Sequence, residues 1–293
     1  MESTISIQKA IEQKSGKVKL RGWCYRERGS NNLIFIVLRD SSNIIQCVLE
    51  KKAVSEEIWK DAKKIKIETS LEIEGTIKED ARAPTGFEVL IDDIKIIGLC
   101  ENYPIQKDLS KEFLADKRHL WLRSRKMTSI LKIRSTVFGA IHNYFRSKDF
   151  YEYHSPIFQP TQAEGGSSVF ELPYFGKKIY LAQTWQLQAE PAIFALERIY
   201  TIAPSFRAEK SVTSRHLTEY WHAEMEEAWT NFNELQDHSE ALVKNIVKEV
   251  LEKNLEELKI LNRDPKLLEP TVKKKFPRLT YTEVLEVLDK KAN

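Results

Sequence analysis

Apolar and polar positions alternate with a period of two through the first hundred residues, which is typical of strands. Val18, Leu20 and Gly22 fall on one side of KVKLRGWCY. The β-rich run LIFIVLRD is followed by SSN and IIQCVLE, which predicts a hairpin. A helical stretch from Ser55 to Lys64 comes next, and two more strands are predicted at SLEIEGTIKE and GFEVLIDDIKIIG. The pattern therefore predicts five strands, with one helix between the third and the fourth.

This order of elements is that of an OB-fold, a small barrel that often binds oligonucleotides. Another small β-barrel, such as an SH3-like domain, fits the same pattern. Residues 101–125 break the alternation and are predicted to be a hinge.

Apolar residues take up helical spacing after the hinge, which predicts a helix over 126–147. It is followed by the extended segment YEYHSPIFQP, a polar loop, a hairpin around FGKK and a helix over 185–197. Two strands, IYTIAPSFRAE and RHLTEYWHAEMEEAW, precede a long amphipathic helix over 232–261. FPRL predicts a short strand, and Thr280 with Glu283 predicts a capping box for a last helix.

These patterns divide the 293 residues into two domains, a number that agrees with the length. Residues 1–100 are predicted to form the barrel. Residues 126–293 are predicted to form an α+β domain with an antiparallel sheet and flanking helices.

Composition narrows the function classes only slightly. Hydrophobic residues make up 42% and charged residues 30% of the chain, and the net charge of +3 permits nucleic-acid binding without establishing it. Cys24, Cys47 and Cys100 lie far apart without CxxC or HxxxH spacing, which argues against zinc and suits a reducing compartment. The N-terminus has no secretion signal, and no apolar run is long enough for a membrane. We therefore expect a cytoplasmic protein without a membrane partner.

The segment SFRAEKSVTSRHLTEYWHAE, residues 205–224, carries the most informative polar pattern. Arg207 and Glu209 lie two apart on the first predicted strand and so face the same side, while Arg215 and His216 open the second. Arginines beside a single acid suit a nucleotide, since guanidinium groups bind phosphate and a carboxylate accepts from an exocyclic amine. A solvated charged hairpin is the simpler alternative.

The order FRxE, loop, RHxxE-aromatic resembles motif 2 of the class II aminoacyl-tRNA synthetases, in the form used by aspartyl and asparaginyl enzymes. The resemblance implies that Arg207 is catalytic and clamps both the α-phosphate of ATP and the amino-acid carboxylate. It also implies that Glu209 binds the adenine amino group and that Tyr220, where the family usually has Phe, stacks on the adenine. The implied ATP-binding residues are Arg207, Glu209, Arg215, His216, Leu217 and Tyr220.

Two upstream segments resemble further parts of this family. The helix over 126–147 with YEYHSPIF is similar to motif 1, which implies a homodimer interface marked by Pro156. The loop AEGGS, residues 163–167, resembles the mobile loop that closes over the amino acid, and Glu164 would bind the substrate ammonium. Without the family context, a core helix and an ordinary turn explain the same residues.

The segment LAQTWQLQAEPAIF, residues 181–194, bears on the amino acid. Aspartyl enzymes carry QSPQLYK here, and their lysine neutralises the carboxylate of aspartate. This chain has Ala189 at the lysine position and Glu190 next to it, a pair that would repel aspartate and accept from the carboxamide of asparagine. Gln183 and Gln186 would complete the pocket, whereas Trp185 has no clear role. A surface position for Glu190 is the alternative.

The N-terminal segment RGWCYRERGSNNLIFIVLRDSSNIIQCVL resembles the anticodon-binding barrel of the same subgroup. The resemblance implies that Phe35 stacks on the central anticodon uridine and that Gln46 hydrogen-bonds it. Arg21 and Arg26 would contact the RNA backbone. A place for Phe35 inside the barrel core is the alternative.

Taken together, the resemblance implies an asparagine–tRNA ligase that uses ATP, Mg²⁺, L-asparagine and tRNA(Asn). Residues 225–293 contain neither the glycine-rich motif 3 nor the acidic residues that hold Mg²⁺ in the family, so no metal ligands are expected in this chain. The resemblance therefore covers two-thirds of the family's length. A truncated gene, a split gene with a separate C-terminal polypeptide, and a relic all fit. Aspartyl-tRNA synthetase, an asparagine synthetase derived from this core, and a non-catalytic tRNA-binding remnant are the functional alternatives.

Overall fold

The computed structural model describes residues 3–105, 110–163, 169–211, 213 and 215–292. They form two compact units, which divide between Lys117 and Arg118. Each unit has its own buried apolar clusters.

The first unit is a closed five-stranded barrel with the strand order β1-β2-β3-β5-β4. The predicted order of five strands, with a helix between the third and fourth, is confirmed. Its strands are β1 (Gly16–Gly29), β2 (Leu33–Arg39), β3 (Ile44–Glu50), β4 (Ser70–Glu79) and β5 (Phe87–Gly98). Helix α1 (Ile7–Gln13) precedes β1, and helix α2 (Glu56–Ala62) lies between β3 and β4.

Alternation along the strands places the apolar side chains inside the barrel. Leu20, Ile36 and Ile73 are fully buried, and all belong to one cluster that α2 covers through Trp59. Gly22 lies so close to the backbone of β2 that the Cβ of any other residue would overlap the Arg39 carbonyl group. Glycine is therefore required where these strands cross.

Helix α1 was not predicted, because seven residues are too short to show a helical period. Ser6 caps it by accepting from the Lys9 amide. Its first amide, that of Ile7, donates to Asp40 Oδ2 at 2.8 Å, while Asp40 Oδ1 accepts from the Ser42 amide in the β2–β3 turn at 2.7 Å. One carboxylate thus holds both the helix and the turn.

The predicted hinge, residues 101–125, contains two short helices, α3 (Lys111–Asp116) and α4 (Arg118–Trp121). The longer helices of the second unit are α5 (Arg125–Arg146), α6 (Gln186–Leu196), α7 (Phe232–Lys253) and α10 (Tyr281–Ala292). The shorter ones are α8 (Leu255–Ile260) and α9 (Glu269–Lys273). Its strands are β6 (Tyr151–Glu152), β7 (Phe158–Gln159), β8 (Glu171–Tyr174), β9 (Lys177–Leu181), β10 (Arg198–Phe206) and β11 (Glu219–Glu227).

Two three-stranded sheets, β11-β10-β6 and β7-β9-β8, organise this unit. Strands β10 and β11 form an antiparallel hairpin with two different faces. On one face Tyr200 and Ile202 pack against α5, and the Tyr200 ring stacks on Phe145 with centroids 4.7 Å apart. On the other face Ile199 packs against Trp185, so this face lies under α6.

Several predicted boundaries in this unit are wrong. The helix predicted over 232–261 is two helices, because Asn254 leaves the helical region with φ −126° and ψ 30°. FPRL is not a strand, since the Phe276 amide donates to Glu240 Oε1 of α7 at 3.2 Å. The capping box of α10 is confirmed by the Thr280 and Glu283 pair, whose backbone amides donate to each other's side chain.

Candidate functional site

The polar face of the β10–β11 hairpin is set by its register. Ser205 lies opposite Tyr220 and Thr201 opposite Glu224, so these side chains share the face that is covered by α6. The sequence predicted Arg207 within the first strand of the hairpin. In the structure it directly follows β10, which ends at Phe206. Its amide still donates to the Thr218 carbonyl oxygen at 2.9 Å, which continues the pairing by one step. Arg207 therefore points to the same side as Tyr220, with its guanidinium carbon 5.8 Å from the ring centre.

The other predicted ATP-binding residues lie in the loop beyond the strand ends. Glu209 Oε2 is 3.9 Å from His216 Nε2, and that nitrogen is buried and has no hydrogen-bond partner among the described residues. Arg215 and Leu217 are exposed and precede β11, which begins at Glu219 instead of at Arg215. The structure thus groups Arg207 with Tyr220 and Glu209 with His216.

The predicted amino-acid residues meet at the start of α6. The buried Gln183 accepts from the Ala163 amide through Oε1 at 3.0 Å. Gln186 and Glu190 lie one turn apart on α6, and Gln186 Nε2 donates to Glu190 Oε1 at 2.9 Å. Glu190 is exposed, as its surface alternative supposed, yet it is one of the charges that act on Glu226. Glu164 lies outside the described residues.

The Glu226 carboxylate lies on the face covered by α6, within reach of the charges of Glu190 and Glu224. Burial raises the pKa of Glu226, and the negative charges of Glu190 and Glu224 raise it further. Ala189, at the position of the lysine in aspartyl enzymes, is fully buried and supplies no countercharge. The region is therefore unfavourable for an anionic side chain and suited to a group that donates hydrogen bonds.

The barrel carries a second candidate surface on β1, β2 and β3. Phe35 lies opposite Arg28 of β1 and Val48 of β3, and it is half-buried on the outside of the barrel. The alternative that placed Phe35 in the core is wrong, because its neighbours Ile34 and Ile36 fill the interior. The Arg28 guanidinium carbon stands 4.6 Å from the centre of the Phe35 ring.

Gln46 lies on β3, opposite Val37 of β2 and Glu88 of β5. Its side-chain nitrogen donates to Glu88 Oε2 at 2.9 Å. The amide is therefore fixed in one orientation, with nitrogen toward Glu88.

The two predicted backbone-binding arginines lie on different parts of β1. Arg26 lies opposite Val37, on the side of Phe35. Arg21 lies where β1 pairs with β4, and its Nε donates to Glu72 at 2.6 Å. The structure brings Arg26 but not Arg21 to the aromatic surface. Pro156, predicted at a dimer interface, is exposed between β6 and β7.

Comparison with known proteins accounts for both units. Residues 110–293 match the family model described as tRNA synthetases class II (D, K and N), and residues 18–97 match the OB-fold nucleic acid binding domain. Asparagine–tRNA ligase of Thermoplasma acidophilum is 48% identical over 92% of this chain and 63% of that protein. The crystal structure of asparaginyl-tRNA synthetase from Pyrococcus horikoshii complexed with asparaginyl-adenylate has a TM-score of 0.91 and 37% identity, over 100% of this chain and 68% of that one.

The chain belongs to the asparaginyl-tRNA synthetases. It spans 63% of the Thermoplasma relative and 65% of the asparagine–tRNA ligase of Thermococcus gammatolerans, which is 45% identical over 96% of this chain. The predicted fold, an OB-fold barrel followed by a class II synthetase core, is confirmed.

In this asparaginyl-tRNA synthetase chain, sequence reasoning missed three residues beside the candidate sites. Glu88 orients Gln46, and Glu224 bonds to the segment before α6. Trp185, which had no clear role, is buried against Ala189 and Ile199. Strand alternation marks Glu88 and Glu224 as sharing a face with a site residue, but their partners follow only from the tertiary structure.

The described residues hold neither a metal-binding cluster nor a membrane-spanning helix. No group of three His, Cys, Asp or Glu residues among them could hold a metal ion. No helix in the same ranges is long and apolar enough to cross a membrane.

Proposed function

We propose that this chain serves the aminoacylation of tRNA(Asn), in which ATP activates L-asparagine and the activated asparagine passes to the tRNA. The observation that carries this proposal is the acidic set at α6: the negative charges of Glu190 and Glu224 raise the pKa of Glu226, and the uncharged Ala189 precedes Glu190 on the helix. The name of the Pyrococcus relative, complexed with asparaginyl-adenylate, supports the same substrate pair.

In the first step, a carboxylate oxygen of asparagine attacks the α-phosphorus of ATP. A bond from that oxygen to phosphorus forms, the bond to the bridging oxygen breaks, and pyrophosphate leaves with the electron pair. Arg207 is proposed to bind both the α-phosphate and the amino-acid carboxylate, because a guanidinium can donate to both and offsets the charge that develops between them. In the second step, a ribose hydroxyl of the tRNA attacks the carbonyl carbon and AMP leaves.

The ATP side of the site is proposed to use the remaining residues after β10 and before β11. Tyr220 offers its ring to the adenine, and Glu209 accepts from the adenine amino group. His216 Nε2 is buried and has no hydrogen-bond partner within the described part of the chain, which suits a phosphate oxygen. Arg215 and Leu217 complete this segment.

Choice of asparagine over aspartate is proposed to come from charge. Glu190 accepts a hydrogen bond from the carboxamide nitrogen of asparagine and repels a second carboxylate. Gln183 and Gln186 bind the rest of the amino acid, and Glu164 binds its ammonium group.

Magnesium assists ATP chemistry in this family, but the described residues gather no ligand set for it. A bound magnesium ion would neutralise phosphate charge.

The barrel is proposed to bind the anticodon of tRNA(Asn). The position of Phe35 supports this, because its ring lies on the outer face of the barrel rather than in the core. Val48 of β3 lies opposite Phe35, and Gln46 is two residues before Val48 on the same strand. A base that stacks on an aromatic ring gains about 1–3 kcal/mol. Arg26, and more distantly Arg21, would bind the RNA backbone. The motif 1 region around Pro156 is proposed to pair two copies of the chain.

Two measurements on the purified 293-residue chain test the function. Asparagine-dependent exchange between ATP and pyrophosphate is expected, together with binding of a non-hydrolysable sulfamoyl analogue of asparaginyl-adenylate. Exchange with aspartate but not with asparagine would contradict the substrate. Binding of tRNA(Asn) without binding of the analogue would favour a tRNA-binding protein without catalysis.

A further inference from the structure

One continuous stretch of the chain is strongly basic. Residues 117–148 contain nine Lys and Arg residues and neither Asp nor Glu, whereas the whole chain carries a net charge of only +3. The rest of the chain is therefore acidic on balance. Most of the basic stretch is helix α5, so the positive charge is concentrated on one element of the second unit.

Helix α7 shows that such a pattern is not general for the long helices of this unit. Both α5 and α7 have 22 residues. Charges of both signs occur along α7, and ion pairs one turn apart join Lys244 to Glu240 and Lys248 to Glu252. Helix α5 contains no acidic residue, so no such pair can form within it. Its cations depend on partners outside the helix.

The fold supplies partners for two of the cations of α5. Lys132 Nζ lies 3.2 Å from Glu257 Oε1, and the Arg146 guanidinium lies 2.7 Å from Glu152 Oε2. Arg125 and Lys126, at the start of the helix, form no ion pair with any residue that the structure describes. The charge at this end of α5 is therefore not neutralised by the described part of the chain.

Stability of the helix does not account for these two cations. Arg125 and Lys126 are the first two residues of α5, and its first turn has no acidic residue. The positive end of the helix dipole lies there, so cations at this end are unfavourable. Arg146 is in the last turn, where a cation is favourable. The fold thus explains Arg146 but not Arg125 and Lys126.

Backbone bonds join the short helix α4 to the start of α5. The Leu122 amide donates to the Arg118 carbonyl oxygen at 2.9 Å, and the Thr128 hydroxyl donates to the Leu122 carbonyl oxygen at 3.3 Å. Arg118 is exposed and forms no ion pair with a described residue. The local fold therefore adds a third unneutralised cation to the two at the start of α5.

A fourth cation extends this region along α5. Arg134 is exposed, as Lys126 is, and the spacing of eight residues places both on one side of the helix. We call Arg118, Arg125, Lys126 and Arg134 the basic surface. Because its cations have no acidic residues between them in the sequence, the surface is suited to an extended anion rather than to a single carboxylate.

We propose that the basic surface binds the phosphate backbone of tRNA outside the anticodon arm, without reading its sequence. Arginine and lysine donate to phosphate oxygens in charge-assisted bonds, and such contacts position a nucleic acid without specifying bases. A second copy of the chain is a poorer partner for this surface, because like charges repel. The inference rests on the proposed function only for the identity of the RNA.

The salt dependence of tRNA binding tests the proposal. In the surface variant, Arg118→Gln with Arg125→Gln and Lys126→Gln, the affinity for tRNA(Asn) is expected to fall about 10- to 100-fold at about 0.1 M salt. The slope of the logarithm of the binding constant against the logarithm of salt concentration should decrease by about 2–3, since each lost phosphate contact lowers it by about one.

A matched variant controls for the change in net charge. Lys259→Gln with Lys274→Gln and Lys275→Gln removes the same charge from exposed positions of the same unit. Its affinity for tRNA(Asn) should fall by less than about threefold, because only the long-range attraction is reduced. Equal losses for the two triple variants would overturn the proposal.

A stem–loop RNA that consists of the anticodon arm alone separates the basic surface from the barrel. The surface variant and the unaltered chain should bind it with affinities that agree within about twofold, because it lacks the backbone that the surface is proposed to contact. Phe35→Leu should weaken both the stem–loop and the whole tRNA. If the surface variant loses the stem–loop as strongly as the whole tRNA, a contact outside the anticodon arm is contradicted.

A tRNA with a different anticodon separates this proposal from the proposed function. Phosphate contacts carry no sequence information, so the surface variant should lose the same factor for this tRNA as for tRNA(Asn). If the unaltered chain does not distinguish the two tRNAs, the proposed anticodon binding fails. The loss in the surface variant then still decides whether the basic surface binds RNA.

The melting temperature of the surface variant should not fall, since two cations leave the positive end of α5. If it does fall, Lys126→Gln alone, at an exposed position, gives a second reading. This single variant should bind tRNA(Asn) about fivefold more weakly, with a slope smaller by about one. Unchanged tRNA binding in Lys126→Gln, or a changed oligomeric state of the surface variant with full tRNA affinity, would overturn the proposal.

Discussion

The candidate binding residues of the barrel and those of the synthetase core are held in place by different kinds of structure. In the barrel, every strand has two neighbours, and the candidate surface around Phe35 and Gln46 lies on paired strands. In the core, the two sheets are open, large side chains such as Phe194 of α6, Trp221 of β11 and Trp229 are more than half exposed, and most candidate residues lie just beyond strand ends.

The difference shows what fixes the position of a candidate side chain in each unit. Phe35 inherits its position from the register of three strands, and a cooperative core holds that register. Arg207 directly follows β10, and Gln186 is the first residue of α6. Their positions depend on individual contacts, such as the hydrogen bond from the Trp185 amide to Glu224. A substitution in the barrel core should thus affect stability first, whereas a substitution near α6 should affect ligand binding first.

The largest expected effect is on barrel stability. Ile36→Ala should lower the free energy of unfolding of the barrel by about 2–5 kcal/mol, because Ile36 is fully buried and the change leaves a cavity. Urea unfolding followed by hydrogen exchange in barrel peptides measures it. Ile97→Ala, at a position 59% exposed, is the control and should change stability by less than about 0.5 kcal/mol. Equal losses for both would mean that the barrel core does not carry the stability.

A smaller effect is expected on ligand binding by the synthetase core. Arg207→Ala should weaken the asparaginyl-adenylate analogue about 100-fold, since at least one charge-assisted bond is lost and the phosphate charge is left unpaired. Calorimetric titration measures the affinity. Binding of tRNA(Asn) and the melting temperature should stay unchanged, as they should for Arg263→Ala on the surface. Analogue binding at full strength would remove Arg207 from the site.

The next effect concerns the affinity of the barrel for tRNA(Asn), which is proposed to depend on Phe35. Phe35→Leu should weaken tRNA(Asn) binding by about 1–3 kcal/mol, because an aliphatic side chain fills similar space without a stacking ring. Phe35→Tyr keeps the ring and should bind nearly as the unaltered chain does. Filter binding at fixed salt measures both. Identical affinities for Leu and Tyr would rule out stacking on this residue.

The smallest effect concerns Glu226. Its pKa is raised in the folded chain by burial and by Glu190 and Glu224, so its protonated form stabilises the fold at low pH. That stabilisation is lost as the pH rises from the ordinary glutamate range through the raised pKa. Glu226→Gln removes the ionisation and should raise the melting temperature at pH 8 by about 2 °C.

Near pH 4 the same substitution should change the melting temperature little, because the carboxyl is already neutral there. Calorimetry at both pH values measures the difference. A fall in melting temperature at pH 8 would show that ionised Glu226 is not unfavourable in the fold.

Sequence patterns predicted the barrel better than the core for a physical reason. Alternation at Val18 and Leu20 reports directly which side of a strand is buried, and turns separate the strands clearly. In the core, FPRL has the composition of a strand, but Glu240 of a distant helix binds its backbone. A local pattern carries no information about such a partner.

The candidate sites show the same limit. Motif 2 identified Arg207 and Tyr220, and the structure places them together. The supporting carboxylates were missed, since Glu88 lies 42 residues from Gln46 and Glu224 lies 40 residues from Thr184. Strand pairing brings Glu88 to Gln46, and the packing of the segment before α6 on β11 brings Glu224 to Thr184.

Asp40 couples the N-terminal helix of the barrel to the β2–β3 turn. The Asp40 carboxylate accepts from the Ile7 amide through one oxygen and from the Ser42 amide through the other, and the Gln8 amide, 34 residues away in sequence, donates to the Ser42 hydroxyl. Undocking of the N-terminal helix therefore removes two bonds that reach the β2–β3 turn, so we expect the turn to be loosened with it. A protease that cuts the loosened N-terminus would thereby report on the turn between the strands that carry Phe35 and Gln46.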